Sequence, residues 1–299
     1  MFKKALVTFG LCAMVLLAVN ADAQDKEDSL KYFDGWKKSL LVDLTLTQAT
    51  YSDSWTGGEA GSYSWVTNAN GVFTKWMAEW FRLKNNVKLS FGQTATQDKD
   101  TKDWSKPEKS SDKIDLESIG LINVHAWVEP FIAGRFLSQF IDASDDAHKK
   151  YIDPMELTLS AGVAKQLNFT AKDEILTRLG LALKHNRNRY FSDATTTDET
   201  ATTTDGGIES NTDITAELGE NLNYIGKITV YKALAISDED QQPNDYWKAI
   251  DVNWENTITA SVSKYIKVSL YAQLLYDKQI SKKGRLKQTL SLGITYKLM

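Results

Sequence analysis

From residue 36 onward the chain alternates apolar and polar positions with a period of two, the mark of strands whose two faces meet different surroundings. The C-terminal third shows this most plainly. In AIDVNWENTITASV, residues 249–262, Ile250, Val252, Trp254, Ile258 and Ala260 share one face, opposite Asp251, Asn253, Glu255, Thr257 and Thr259. In YIKVSLYAQLLY, residues 265–276, Ile266, Val268, Leu270, Ala272, Leu274 and Tyr276 oppose Lys267, Ser269, Tyr271 and Gln273. In RLKQTLSLGITYKL, residues 285–298, Leu286, Leu290, Leu292, Ile294, Tyr296 and Leu298 oppose Lys287, Thr289, Ser291 and Thr295.

Upstream, the pattern predicts strands near 38–50, 63–75, 78–92, 113–127, 130–142, 154–167, 173–189, 208–220 and 224–236, which brings the total to about twelve. Most are twelve residues or longer, against about five or six in ordinary soluble sheets. The connections alternate as well. Long polar segments such as SDSWTGGEAG, QTATQDKDTKDWSKPEKSSD and FSDATTTDETATTTDGG follow odd-numbered strands, and tight ones such as TKWM, VEP and NLNY follow even-numbered strands. Long loops at one end and short turns at the other are the signature of outer-membrane barrels. The expected fold is all-β: a transmembrane, antiparallel, up-and-down β-barrel of about twelve strands.

Aromatic residues collect near the predicted strand ends: Trp36, Trp76, Trp80, Trp127, Tyr151, Tyr190, Tyr224, Trp247, Tyr265 and Tyr276. Amphipathic rings settle at headgroup level, so two girdles are expected. The N-terminus supplies the export route. Lys3 and Lys4 precede an apolar run from Ala5 to Val19, and Ala21-Asp22-Ala23 forms a small-residue cleavage signal. We therefore expect a signal peptide at 1–23, a short periplasmic segment at 24–35 and a barrel domain at 36–299. Cleavage after Ala23 removes Cys12, the only cysteine, and with it disulfides, thiolate metal sites and cysteine nucleophiles. It also removes Lys3, Lys4 and Asp22, moving the net charge from −4 to −5, which argues against nucleic acid as a partner.

Candidate chemistry is sparse. His125 falls inside a predicted strand, and His148 lies in the acidic loop DASDDAHKK beside Asp142, Asp145 and Asp146. His185 sits in KHNRNRYF without a recognisable Ser or Asp partner, and Lys184, Arg187 and Arg189 around it suit lipopolysaccharide phosphates. The Gly-rich TGG and TDGG pieces lack the following helix that a phosphate loop requires. No catalytic, cofactor or metal residues are therefore assigned. The polar strand faces instead carry Asp43, Glu117, Arg135, Arg178, Lys184, Glu217, Asp251, Glu255, Lys267 and Lys287. Charges facing lipid are costly at the bilayer midplane, so these residues are expected to line the lumen.

Two motifs carry a resemblance. Ser291, Gly293, Tyr296 and Leu298 resemble the C-terminal signal read by the barrel-assembly machinery, with Met299 trailing where the pattern has a terminal aromatic. Trp55, Gly57 and Gly58 resemble the W-x-x-G-G element of an uncharacterised outer-membrane barrel family, domain of unknown function 3078, with one residue rather than two between the Trp and the glycine pair. Asp112, Lys113, Asp115, Leu116, Arg135, Gln139 and Phe140 resemble two later strands of that family, whereas Ser54 stands where members usually carry Asn. The resemblance implies an outer-membrane location, with lipid, lipopolysaccharide and the assembly machinery as partners, and no established activity. The expected role is a porin-like passive channel. The alternative is a structural or surface-interaction barrel with a plugged lumen, and an outer-membrane hydrolase ranks below both.

Overall fold

The computed structural model describes residues 34–52, 60–144, 148–168, 173–191, 198–237, 239–242 and 244–298. The chain divides into two units, of which the second, Phe33–Met299, contains every strand among the described residues. These are β1 (Trp36–Ala49), β2 (Ser62–Ala78), β3 (Phe81–Thr96), β4 (Glu108–Ile122), β5 (Glu129–Ser138), β6 (Ile141–Asp142) and β7 (Lys150–Tyr151). They continue as β8 (Met155–Asn168), β9 (Glu174–Phe191), β10 (Asp198–Gly219), β11 (Leu222–Ile236), β12 (Ile250–Ser261), β13 (Ile266–Tyr276) and β14 (Arg285–Lys297).

Twelve strands close into one antiparallel ring, in the order β1-β14-β13-β12-β11-β10-β9-β8-β5-β4-β3-β2, and β6 and β7 form a separate hairpin. Closure leaves each strand two neighbours, which removes the exposed edges of an open sheet except along part of the β1–β14 seam, where five residue pairs join the strands. Burial is inverted relative to a soluble protein. Leu181 on β9, Leu286 and Leu290 on β14 and Leu46 on β1 are 66–72 % exposed, while Arg178 is 1 % exposed. The interior is therefore ionic and the outer wall aliphatic.

The turn end, where β1 begins and β14 finishes, carries exposed Trp36, Trp80, Trp127, Tyr265 and Tyr296. Two residues expected in the girdles turn inward instead. Trp76 and Trp247 are both 4 % exposed, Trp76 because Arg82 lies over its ring at 5.6 Å and Trp247 because its loop folds onto the interior.

Three other local expectations are corrected. β4 lies about five residues earlier than its pattern suggested, so His125 falls in the turn after it at φ 55°, with its N–H donating to Asn123 Oδ1 at 3.1 Å. An Asx-type turn competes here with continued strand pairing. The polar run DETATTTDGG is strand rather than loop, because its β-branched threonines pair with the outward extension of β9 from Lys184 to Phe191. β5 stops at Ser138, because the Asp112 carboxylate accepts the N–H groups of Phe140 and Ile141 at 2.6 and 3.0 Å and diverts the chain into the β6–β7 hairpin.

Candidate functional site

Along β4, Lys113, Asp115 and Glu117 are spaced two apart and so point to one side, the lumen. Glu117 is the hub. Arg178 of β9 donates to Glu117 Oε1 at 2.7 Å, Lys227 of β11 to Oε2 at 2.8 Å, and Asn86 of β3 to Oε2 at 3.1 Å. Asp213 of β10 lies 3.2 Å from Arg178 and 3.5 Å from Lys227. Arg135 of β5 grips Asp115 through two bonds of 2.9 Å, the fork geometry that a guanidinium offers a carboxylate. Lys113 then joins Asp115 at 3.3 Å to Glu255 of β12 at 3.0 Å, and Lys88 of β3 stands 3.8 Å from Glu255.

The partners come from distant walls. β4 and β12 are six places apart in a ring of twelve, and β4 and β11 are five. Lys113–Glu255 and Lys227–Glu117 therefore cross the lumen, whereas Arg135–Asp115, Arg178–Asp213 and Lys227–Asp213 join neighbouring strands. Lys88, Lys113, Arg135, Arg178 and Lys227 face Asp115, Glu117, Asp213 and Glu255, five cations against four anions. Buried ions are tolerable only when paired, and each of these four carboxylates meets two cations, although Arg178 Nε is buried without a partner.

Further packing lies on either side of this layer. Toward the turn end Ile119, Leu121, Phe131, Ala164 and Leu176 form a buried apolar cluster, and Arg178 lies 5.8 Å over the Phe131 ring. Closer to that mouth Lys84 pairs with Glu174 at 2.6 Å, and Arg82 donates to Gln166. Toward the loop end Trp247 packs on Ala182, Tyr231 and Ala233. Beside it is a cavity of about 80 Å³ lined in part by Lys184, Asp205, Tyr231, Asp251 and Asp277.

Of the residues singled out from sequence, the structure gathers Glu117, Arg135, Arg178 and Glu255 into the crossing layer. Lys184 and Asp251 lie at the loop-end cavity, with Lys184 Nζ 3.7 Å from the centre of the Tyr231 ring. Asp43 stands opposite Asn68, which hydrogen-bonds it, within the field of Lys267. Glu217 is exposed at the turn end, its N–H donating to Asp173 at 2.7 Å, and Lys287 is exposed opposite Gln273 on β13. Ser291 donates to the Ser269 carbonyl at 3.3 Å, Gly293 pairs with Thr45, and Tyr296 and Leu298 face outward. Trp55, Gly57 and Gly58 lie outside the described residues, as does the segment 1–23.

The basic group expected around His185 is divided. Lys184 turns to Tyr231, Arg189 pairs with Asp153 at 3.4 Å, and His185 Nδ1 is 2.9 Å from Thr204 Oγ1. Lys88, Asp213 and Lys227 complete the layer but were not singled out from sequence. Their signal was the charge alternating with apolar residues in KLS, TDI and GKI, weak in any one strand. Among the described residues no group of three or more His, Cys, Asp or Glu could hold a metal ion, and no helix is long and apolar enough to cross a membrane.

A closed twelve-stranded antiparallel barrel with an ionic interior and an aliphatic exterior defines the class of protein. Within it, residues 46–143, which span β2 to β5 and contribute Glu117 and Arg135, match the family described as "Protein of unknown function (DUF3078)". No curated protein matches the chain. Among solved structures, the translocator domain of the autotransporter NalP from Neisseria meningitidis shares 9 % identity at a TM-score of 0.39, covering 98 % of this chain and 97 % of that one. An outer-membrane channel from Pseudomonas putida F1 shares 10 % identity at a TM-score of 0.39, covering 91 % and 98 %. The NanC porin shares 10 % identity at a TM-score of 0.35, covering 87 % and 100 %.

Proposed function

We propose that this chain is an outer-membrane β-barrel whose lumen is plugged by its own side chains, a structural or surface-presenting barrel rather than an open porin. The membrane reading rests on the inverted burial. A wall of exposed leucines over a ring laddered on both sides of nearly every strand suits hydrocarbon, where backbone groups need partners inside the protein. The ring Trp36, Trp80, Trp127, Tyr265 and Tyr296 marks the periplasmic interface, and the longer loops then face outward. Lipid and lipopolysaccharide would be the surrounding partners, and the final strand would present the assembly signal. The reading is non-enzymatic, since the ionisable groups of the interior are spent on one another.

The observation that carries the plugged reading is the 3.0 Å contact between Lys113 and Glu255 across the lumen, with Glu117 held by Arg178 and Lys227 beside it. An open porin keeps its walls apart around water. The test is conductance of the refolded chain in a planar bilayer. Wild type should give no discrete current steps, and a Lys113→Ala, Glu117→Ala, Arg178→Ala triple variant should give them. Regular steps from wild type would overturn the plug and restore the porin-like channel.

A further inference from the structure

The ring is closed by unequal seams. β1 and β2 pair from Trp36–Lys75 to Ala49–Ser62, and β13 and β14 pair from Ile266–Ile294 to Leu275–Arg285. The seam between β1 and β14 runs only from Leu41–Lys297 to Thr45–Gly293. Toward the loop end, residues 46–49 of β1 and 285–292 of β14 each keep one neighbour and leave the facing edge unladdered. A Cβ at Gly293 would stand 2.9 Å from Leu44 O, so the two backbones are close at the last paired position before the ladder ends. Unladdered edges in hydrocarbon are costly, and a fold that keeps them has a use for the gap.

The rim of this gap has a specific chemistry. Lys283, Arg285 and Lys287 stand along it, while Lys278 and Lys282 of the same β13–β14 loop turn to the Tyr246 ring in the segment before β12, at 4.4 and 5.3 Å. Lys283 and Lys287 are exposed. Below them the outward residues Leu286, Leu290 and Leu292 on one edge and Leu46 on the other are 60–72 % exposed. Inside the gap lie the polar Thr47, Thr289 and Ser291. A second strand is a poor occupant. The free edge of β1 is only four residues long, and Arg285 and Lys287 on β14 are the charges that discourage edge pairing.

We propose that the outer half of the β1–β14 seam is a lateral port for a phosphorylated lipid of the outer leaflet. The basic rim takes the phosphate, and the acyl chain lies between Leu46 and Leu290. The port opens through the wall on the loop-end half of the seam and needs no open lumen, so a plugged lumen and a lateral lipid site are compatible. The proposal rests on the outer-membrane reading.

The test places a photo-reactive benzoylphenylalanine at Thr47, on the polar face at the gap, and at Asn253, on the polar face of β12, in the full chain. Each is refolded into vesicles of phosphatidylcholine with or without lipid A and irradiated. Intact-mass measurement should show a lipid A adduct at Thr47 at least fivefold above that at Asn253. A Lys283→Gln, Lys287→Gln variant should lose most of it. Equal labelling at the two positions, labelling by phosphatidylcholine alone, or a product of twice the chain mass would overturn the port. Electrophoresis of the same samples without heating reports insertion separately. Loss of the folded-barrel band shift removes the outer-membrane reading itself, whereas a retained shift without adduct removes only the port.

Discussion

Lys113 Nζ lies 3.0 Å from Glu255 Oε1, although β4 and β12 stand on opposite sides of the ring. A contact of this kind ties walls that share no hydrogen-bond ladder. Its strength should appear in a double-mutant cycle of Lys113→Ala and Glu255→Ala, followed by urea unfolding of the vesicle-inserted chain. We expect a coupling of about 1 kcal/mol or more, since residues in one ionic network depart from additivity by about 0.5–3 kcal/mol. Additive single losses would show that the pair does not brace the barrel.

Glu117 should be the costliest single residue of the layer. Glu117→Gln keeps the shape and removes the charge, which leaves Arg178 and Lys227 facing one another with Asp213 as their remaining shared acid. Removing one partner of a buried ionic set typically costs about 3–5 kcal/mol, because the other charges stay buried without compensation. Urea titration read by the heat-modifiable gel shift should register a loss of that order. Glu217→Gln, at the exposed turn end, should change stability by less than about 0.5 kcal/mol.

The outer wall gives the converse test. Leu181 is 68 % exposed near the middle of β9, and in water its replacement by arginine would be harmless. In a bilayer, Leu181→Arg should cost about 2–4 kcal/mol, the price of an arginine near the midplane. Comparing unfolding in vesicles with unfolding in detergent micelles checks this, and no vesicle-specific loss would count against a membrane-spanning wall.

The barrel was legible because alternation and loop length are local properties of the chain. Twelve strands and the long-short order of their connections follow from residues within about twenty positions of one another. The ionic layer was only partly legible. Parity placed Glu117, Arg135, Arg178 and Glu255 on polar faces, but their partnership depends on which walls meet across the ring. Only closure brings Lys113 to Glu255, 142 positions away in sequence. Trp76 and Trp247 misled for the same reason, since a strand-end aromatic reads alike whether it meets lipid, a buried cation as Trp76 does, or an interior apolar cluster as Trp247 does. The segment at 198–207 misled through composition, because threonine-rich polar runs serve both as loops and as strand extensions beyond a membrane.

The β6–β7 hairpin carries a pH dependence. Burial pushes the Asp142 carboxyl up, but hydrogen bonds from Lys150 and Ser144 outweigh it and hold the group below its ordinary 3.8. Burial likewise lowers Lys150, while Asp142 at 2.7 Å and Asp153 at 3.6 Å raise it above 10.5 on balance. A depressed acid stabilises the fold above its unfolded value and loses that contribution as pH falls through the folded one. A raised lysine contributes fully below its unfolded value and is lost as pH climbs past the folded one. The hairpin should therefore resist proteolysis between about pH 4 and pH 10 and open below about pH 4. Limited digestion across that range checks it, and Lys150→Met should flatten the acid limb.

Gly162 on β8 and Gly180 on β9 face each other across the ladder, and neither position has room for a side chain. A Cβ on Gly162 would stand 2.2 Å from Leu179 O, and one on Gly180 2.3 Å from Ala161 O. Both obstacles are backbone, so no rotamer change relieves them. Arg178 is two residues from Gly180, and the close approach of these strands fixes the wall from which its guanidinium reaches Glu117. Gly162→Ala should therefore force the strands apart and cost about 1–3 kcal/mol, with partial loss of the folded-barrel gel shift. Gly206→Ala is the matched control, since its Cβ would find only Leu183 Cδ1 at 4.0 Å. Equal behaviour of the two variants would mean that the β8–β9 spacing yields without cost and does not hold the ionic layer in place.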